Sequence, residues 1–186
     1  MQVGLIGLGN FGSAIGHLIA SNGHGVLGWE YDEKVVAEVN AAHVNTRFLP
    51  GIALHSGLVA TSDLEGVFRR CEVVFVALPS VFIRPTLGPV RDAVDEAMLL
   101  VNMAKGIDRE TGRTAFQTVA DLFPRNRKVV LSGPSVANEF VRKMPTTVVV
   151  AGAHRGDLLT VAHLLDTDAF RTRFSDDVVG VELGGV

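Results

Sequence analysis

Met1-Gln2-Val3-Gly4-Leu5-Ile6-Gly7-Leu8-Gly9-Asn10-Phe11-Gly12 opens the chain, and its reading decides the fold. A short apolar run gives a buried strand, and Gly7, Gly9 and Gly12 follow at G-x-G-x-x-G spacing. Behind them Phe11, Ala14, Ile15, Leu18 and Ile19 recur at helical spacing until Asn22-Gly23 stops the pattern. Strand, glycine turn and helix in that order are the context a dinucleotide site requires. In such a fold the first glycine permits a tight turn and the second lets a pyrophosphate approach the backbone. The third lets helix pack closely on strand. Free N–H groups at the helix start then present the positive end of the dipole to the phosphates.

Working outward, the second strand Val26–Trp29 ends in Glu30-Tyr31-Asp32-Glu33, about 20 residues beyond the glycines. Glu30 and Asp32 both fit the acid that holds an adenosine ribose, and spacing does not choose between them. Equally, these acids suit the start of the next helix, through roughly Asp32–His43. Negative charge here favours NAD over NADP. Residues 45–51, Asn45-Thr46-Arg47-Phe48-Leu49-Pro50-Gly51, read as irregular chain ending in a Pro-Gly turn. Leu58–Thr61 is a short strand. Ser62-Asp63-Leu64-Glu65 then matches a capping box opening a helix to about Arg70.

Cys71–Leu78 is a continuous apolar run, the mark of a central strand buried on both faces. Its carboxyl end aims Ser80 and Phe82 at the ligand crevice. Between residues 81 and 97, Pro85, Gly88 and Pro89 require a late, kinked or split helix. Met98–Met103 is a strand delivering Ala104-Lys105-Gly106 at its carboxyl end, where a lysine would neutralise a phosphate or a developing alkoxide, or else stand as a solvated loop side chain. Thr114–Phe123 is an amphipathic helix. Lys128–Ser132 runs into Gly133-Pro134-Ser135, a second anion-holding corner with Ser135 as helix cap. A helix at about Ala137–Arg142, a strand at Thr146–Ala151, a helix at residues 156–165 and a strand at Ala169–Phe174 complete the order. This alternation predicts an α/β, Rossmann-like, doubly wound and mainly parallel sheet, with an extension after residue 145 in the opposite sense. Residues 1–175 form the dinucleotide-binding domain, and residues 176–186 begin a linker or helix beyond it.

Composition sets the remaining bounds. At 186 residues, 47% hydrophobic and 20% charged, the chain buries an ordinary globular core. A net charge of −3 leaves no basic footprint for nucleic acid. Cys71 is the single cysteine, which excludes an internal disulfide and reads as a buried, inert thiol. No basic leader precedes the first apolar run, and no apolar run reaches the roughly 18 residues of a membrane span. A soluble, cytoplasmic protein is expected. The six histidines show no metal-ligand spacing, and Asp92/Asp95/Glu96 and Asp176/Asp177 read as solvated faces or caps.

Taken together, these segments resemble the NAD(P)-dependent glycerol-3-phosphate dehydrogenase family in its bacterial form. The resemblance runs through Gly7–Gly12, Asn22-Gly23-His24-Gly25-Val26 with Trp29, residues 45–51, Leu78-Pro79-Ser80 and Ala104-Lys105-Gly106. It continues in Ser132-Gly133-Pro134-Ser135-Val136-Ala137-Asn138-Glu139, Pro145-Thr146-Thr147 and Gly180-Val181-Glu182-Leu183-Gly184-Gly185. It implies hydride transfer between NAD(P)(H) and glycerol 3-phosphate or dihydroxyacetone phosphate, supplying phospholipid synthesis. By that resemblance the backbone at Asn10 and Phe11 holds the pyrophosphate, Gly7, Gly9 and Gly12 belong to the same cofactor-binding motif, and Tyr31 lies near adenine. Phe82 and Ala137 line the nicotinamide side. Lys105 touches both cofactor and substrate, while Gly133 and Ser135 help hold a small phosphate substrate. The family often carries Arg where this chain has Tyr31, so NAD is the expected cofactor and NADP is left open. The family's proposed general-base lysine falls just beyond Val186, before a helical substrate domain. The chain is therefore expected to be the cofactor half of a longer enzyme, inactive alone, with room for a homodimer at full length. A stand-alone dinucleotide-binding module and another hydroxyacid dehydrogenase of the same fold are the alternatives.

Overall fold

The structure, a computed structural model, describes residues 1–108 and 111–185. In chain order it contains β1 (Gln2–Ile6), α1 (Asn10–Ser21), β2 (Gly25–Trp29), α2 (Glu33–Ala42), β3 (Val44–Asn45), β4 (Leu49–Ala53) and β5 (Leu58–Thr61). Next come α3 (Leu64–Arg70), β6 (Val73–Val76), α4 (Ser80–Leu87) with a 3-10 turn at Gly88–Ala93, β7 (Leu99–Asn102), α5 (Ala115–Leu122) and β8 (Arg127–Ser132). The last elements are α6 (Ala137–Phe140), β9 (Thr146–Gly152), α7 (Arg155–Leu165), β10 (Phe170–Ser175) and α8 (Val178–Leu183).

Eight strands make one sheet in the order β10-β9-β8-β7-β6-β1-β2-β5. Every neighbouring pair is parallel except β8–β9, so β9 and β10 extend the sheet in the opposite sense. The chain leaves β1 to one side through β2 and β5, then returns to the other side through β6. That reversal opens a crevice at the carboxyl ends of β1 and β6, the switch point at which ligands bind in open α/β sheets.

Strand side chains alternate between two cores. Val3, Leu5, Phe75, Val101 and Val129 face α1 and α7, while Ile6, Val74, Val76 and Leu100 face the layer built from α3, α4 and α5. Each fully buried Leu or Ile contributes about 2 kcal/mol of hydrophobic stabilisation, and burial on both faces accounts for the unbroken apolar runs.

Local chemistry differs from expectation at three of the following four places. Residues 44–53 are not irregular: β3 and β4 form an antiparallel hairpin, anchored by the buried side chains of Asn45 and Leu49. The cap of α3 is Asp63 rather than Ser62. Its carboxylate accepts the Gly66 N–H at 2.9 Å, leaving Glu65 free to pair with Arg69 one turn on. The helix after β6 is split, as the prolines require, yet it starts at once, with Pro85 inside α4 and the 3-10 turn following. Finally, Ser135 does not cap α6. The N-cap there is Val136 without a side-chain bond, and Ser135 folds back so that its N–H donates to the Gly133 carbonyl at 2.9 Å.

Residues 178–183, within the stretch read as the start of a linker or helix, form a short helix packed on β8. Val186 lies outside the described residues. Among the described residues no helix is long and apolar enough to cross a membrane.

Candidate functional site

At the carboxyl ends of β1, β6, β7 and β8 lies a cleft of about 520 Å³, lined mainly by apolar groups. Its floor is the glycine turn, and the three glycines do three different things. Gly7 has φ +98°, a left-handed conformation that turns the chain sharply out of β1. A Cβ on Gly12 would fall on the carbonyl oxygen of Gly7, far inside van der Waals contact. A Cβ on Gly9 would meet nothing within 4 Å, because Gly9 faces the open cleft. α1 begins here with no side-chain cap and no acid in its first turn. The cleft therefore meets a helix N-terminus whose positive end nothing in the first turn neutralises.

The turn is braced from behind. Glu30 is buried at 3% exposure. Its carboxylate accepts the N–H groups of Leu8 at 3.0 Å, Tyr31 at 3.0 Å and Asp32 at 3.3 Å. Asn45, fully buried, donates from Nδ2 to the Leu8 carbonyl at 2.7 Å and to Ser13 Oγ at 2.9 Å. The Ser13 hydroxyl donates to the same carbonyl at 2.8 Å. Asn10 Nδ2 donates to the Phe48 carbonyl at 2.7 Å, tying the hairpin to the first residue of α1. Sequence reasoning missed Asn45 and Ser13. Their signal was a polar side chain inside an otherwise apolar helix face and another before a Pro-Gly turn, both buried and mutually satisfied.

Of the two acids left open as ribose ligands, Glu30 is consumed by the turn. Asp32 caps α2 through the Lys34 N–H at 2.9 Å and pairs with Arg47 at 2.5 Å.

Gly9, Asn10, Phe11, Gly12, Lys105 and Ser135 line the cleft together. Phe48 joins them from the hairpin, and Ala77, Leu78 and Pro79 from the end of β6. Lys105 is exposed, forms no ion pair among the described residues, and is the sole ionisable side chain in the lining. The next residue, Gly106, has φ +112°, and a Cβ there would crowd Ser80 Oγ, so the loops after β6 and β7 approach closely. Gly133, at φ +143°, is pressed against the backbone of β9 at Val148 and Thr147, which turns the chain toward Ser135. Ser132, 5% exposed, reaches the cleft with a hydroxyl that has no hydrogen-bond partner among the described residues. Gly185 sits directly against that hydroxyl.

Six expected residues stand apart from the lining: Gly7, Tyr31, Ser80, Phe82, Gly133 and Ala137. Tyr31 and Phe82 are 68% and 55% exposed, outside the walls. Ala137 is buried within the core below the cleft. Among the described residues no group of three or more His, Cys, Asp or Glu could hold a metal ion. Burial pushes the Cys71 thiol up to about 11, the smaller opposing effect coming from Arg70. Cys71 is remote from this cleft, at the amino end of β6.

The protein family described as NAD-dependent glycerol-3-phosphate dehydrogenase N-terminus matches residues 2–157. The glycerol-3-phosphate dehydrogenase (NAD(P)+) of Geobacter metallireducens is 38% identical over 99% of this chain and 56% of its own length. The enzyme of the same name from Clostridium tetani is 33% identical over 97% of this chain and 52% of its own. Among solved structures, the glycerol-3-phosphate dehydrogenase of Coxiella burnetii superposes with a TM-score of 0.93 at 27% identity. That match covers 99% of this chain and 56% of the other. The chain thus spans about half the length of the curated relatives it matches.

Proposed function

The chain belongs to the family of NAD-dependent glycerol-3-phosphate dehydrogenase N-terminal domains, and from that premise we propose that the cleft holds a nicotinamide dinucleotide against a three-carbon phosphate. The observation that carries this reading is the contrast between Gly9 and Gly12. One glycine leaves open space in the cleft and the other closes the helix onto the strand, as pyrophosphate binding needs. The uncapped start of α1 fits the same group.

When bound, the dinucleotide supplies the hydride donor or acceptor. The chain's own residues then bind and orient. The backbone of Gly9, Asn10, Phe11 and Gly12 receives the pyrophosphate. Tyr31 and Phe82, both exposed outside the walls, would approach the adenine and nicotinamide ends, while buried Ala137 supports the wall from the core. Ser135 and the backbone at Gly133 hold the substrate phosphate corner. Lys105, the single charged group in the lining, offsets negative charge on the substrate. The apolar wall from Leu78, Met103 and Leu131 limits water around the reacting carbon. In a complete enzyme the substrate is glycerol 3-phosphate or dihydroxyacetone phosphate, and the setting is phospholipid synthesis in the cytoplasm.

The test is a fluorescence titration of the chain with NADH, beside the variant Gly9→Ala. Gly9 has φ −64°, which any residue adopts, so the variant should keep its melting temperature within a few degrees. The added methyl stands in the pyrophosphate's place and should weaken NADH by about tenfold or more. Unchanged NADH affinity in a folded Gly9→Ala chain would sink the reading.

A further inference from the structure

Cofactor choice in dinucleotide folds is made at the carboxyl end of the second strand. An acid there holds the ribose 2′-hydroxyl and repels a 2′-phosphate, whereas a nearby arginine accepts it. Here both acids already have partners, and only Asp32 would be released by a competing anion. Glu30 is turned inward and shared among three backbone N–H groups. Asp32 gives one oxygen to the α2 cap and the other to Arg47.

Arg47 reaches this strand end from a different element, the turn of the β3–β4 hairpin. That hairpin is locked onto the glycine turn by Asn45 and by the Asn10 bond to the Phe48 carbonyl. The guanidinium lies 4.9 Å from the centroid of the Phe48 ring, and Phe48 itself lines the cleft. The other charged groups nearby are Glu33 and Lys34 in the first turn of α2, and Glu38. Glu38 is occupied by the Thr46 N–H and hydroxyl at 3.0 and 2.6 Å. Tyr31, exposed beside Asp32, brings no charge.

We propose that Arg47 is the residue that recognises a 2′-phosphate in this chain, exchanging Asp32 for that phosphate, so that NADPH binds as well as NADH. The proposal rests on reading the cleft as a dinucleotide site. The exchange is physically easy. The Arg47 and Asp32 side chains are 54% and 20% exposed, and ion pairs in such settings are weak. A phosphate offers the guanidinium a bidentate, charge-assisted partner. The Phe48 ring stays beneath the guanidinium in either position and restricts where it can swing.

NADPH and NADH titrations at fixed ionic strength decide the matter, using the wild-type chain, Arg47→Gln and Asp32→Asn. The wild-type chain should bind the two cofactors within about tenfold of each other. Arg47→Gln should weaken NADPH by about tenfold or more and leave NADH within about twofold. Asp32→Asn, which keeps the helix cap, should strengthen NADPH, and it carries the test if Arg47→Gln does not fold. Equal losses for both cofactors on Arg47→Gln, or binding of NADH without NADPH, would overturn the role of Arg47 and leave the dinucleotide site standing. Failure of both cofactors to bind would overturn both readings.

Discussion

At Gly12 the missing side chain is a packing requirement. A methyl there would strike the Gly7 carbonyl, a backbone atom that cannot rotate away. Gly12→Ala should therefore cost about 2 kcal/mol or more, seen as a lower urea midpoint. Gly9→Ala, with nothing near its methyl, should stay within about 1 kcal/mol of wild type. Two glycines three residues apart thus separate stability from binding. Cys71 is 6% exposed, and burial holds its thiol at about 11. Little thiolate forms at pH 8, so modification by a disulfide reagent should be slow in the native chain and fast in urea. Native labelling as rapid as that of a free thiol would contradict the placement of Cys71. The glycine spacing was legible in the sequence because each job follows from the absence of a Cβ. The work of Glu30 was not, since an acid at a strand end looks the same whether it faces a ribose or a backbone amide.

Among the elements, α8 is tied to the start of α5 by a buried carboxyl group. Glu182 is 4% exposed and accepts the Phe116 N–H at 2.6 Å, at the start of α5. Glu182→Ala should remove that acceptor and cost about 1–3 kcal/mol, with faster hydrogen exchange at Phe116. Glu182→Gln should retain most of the bond. The loop between β4 and β5 is held by histidine. The His55 N–H donates to His17 Nδ1 at 3.0 Å, which requires that nitrogen to be unprotonated. Burial, then the proximity of His55, lowers the His17 pKa from 6.5. The unfolded chain therefore binds this proton more readily than the folded one. Stability from His17 is fully present above about pH 6.5 and falls as pH drops toward the lower folded value. Denaturation at pH 7.5 and pH 5.5 should show that slope, and His17→Gln should flatten it. Strand and helix order were readable from periodicity because both sheet faces are covered. The β3–β4 hairpin was not, because Asn45 and Leu49 are fixed by contacts with α1 and the glycine turn, far along the chain. Asp63 displaced Ser62 as the α3 cap for a related reason. Two adjacent cap residues satisfy the same sequence pattern, and the backbone path out of β5 chooses between them.

On the scale of the whole molecule, the sheet order gathers one ligand-facing loop from each of β1, β6, β7 and β8 into a single cleft. A ligand there touches four separate parts of the chain, so its binding should stabilise the domain globally. NADH at 100 times its dissociation constant should add about 2.7 kcal/mol and raise the melting temperature accordingly. Binding and catalysis should nevertheless part company. Reduction of a ketone by hydride needs a proton for the new alkoxide, and the reverse reaction needs a base near the hydroxyl. Among the described residues the lining includes no histidine or carboxylate and one ionisable group, Lys105, whose proposed role is to offset charge. Mixed with NADH and dihydroxyacetone phosphate, the purified chain should show the NADH-dependent rise in melting temperature. Its absorbance at the reduced-nicotinamide band should decay no faster than the protein-free control. Steady turnover abolished by Lys105→Met but kept in part by Lys105→Arg would leave Lys105 as an electrostatic group, whereas loss in both variants would make it the proton donor. Turnover that survives Lys105→Met would place the proton source outside this lining altogether.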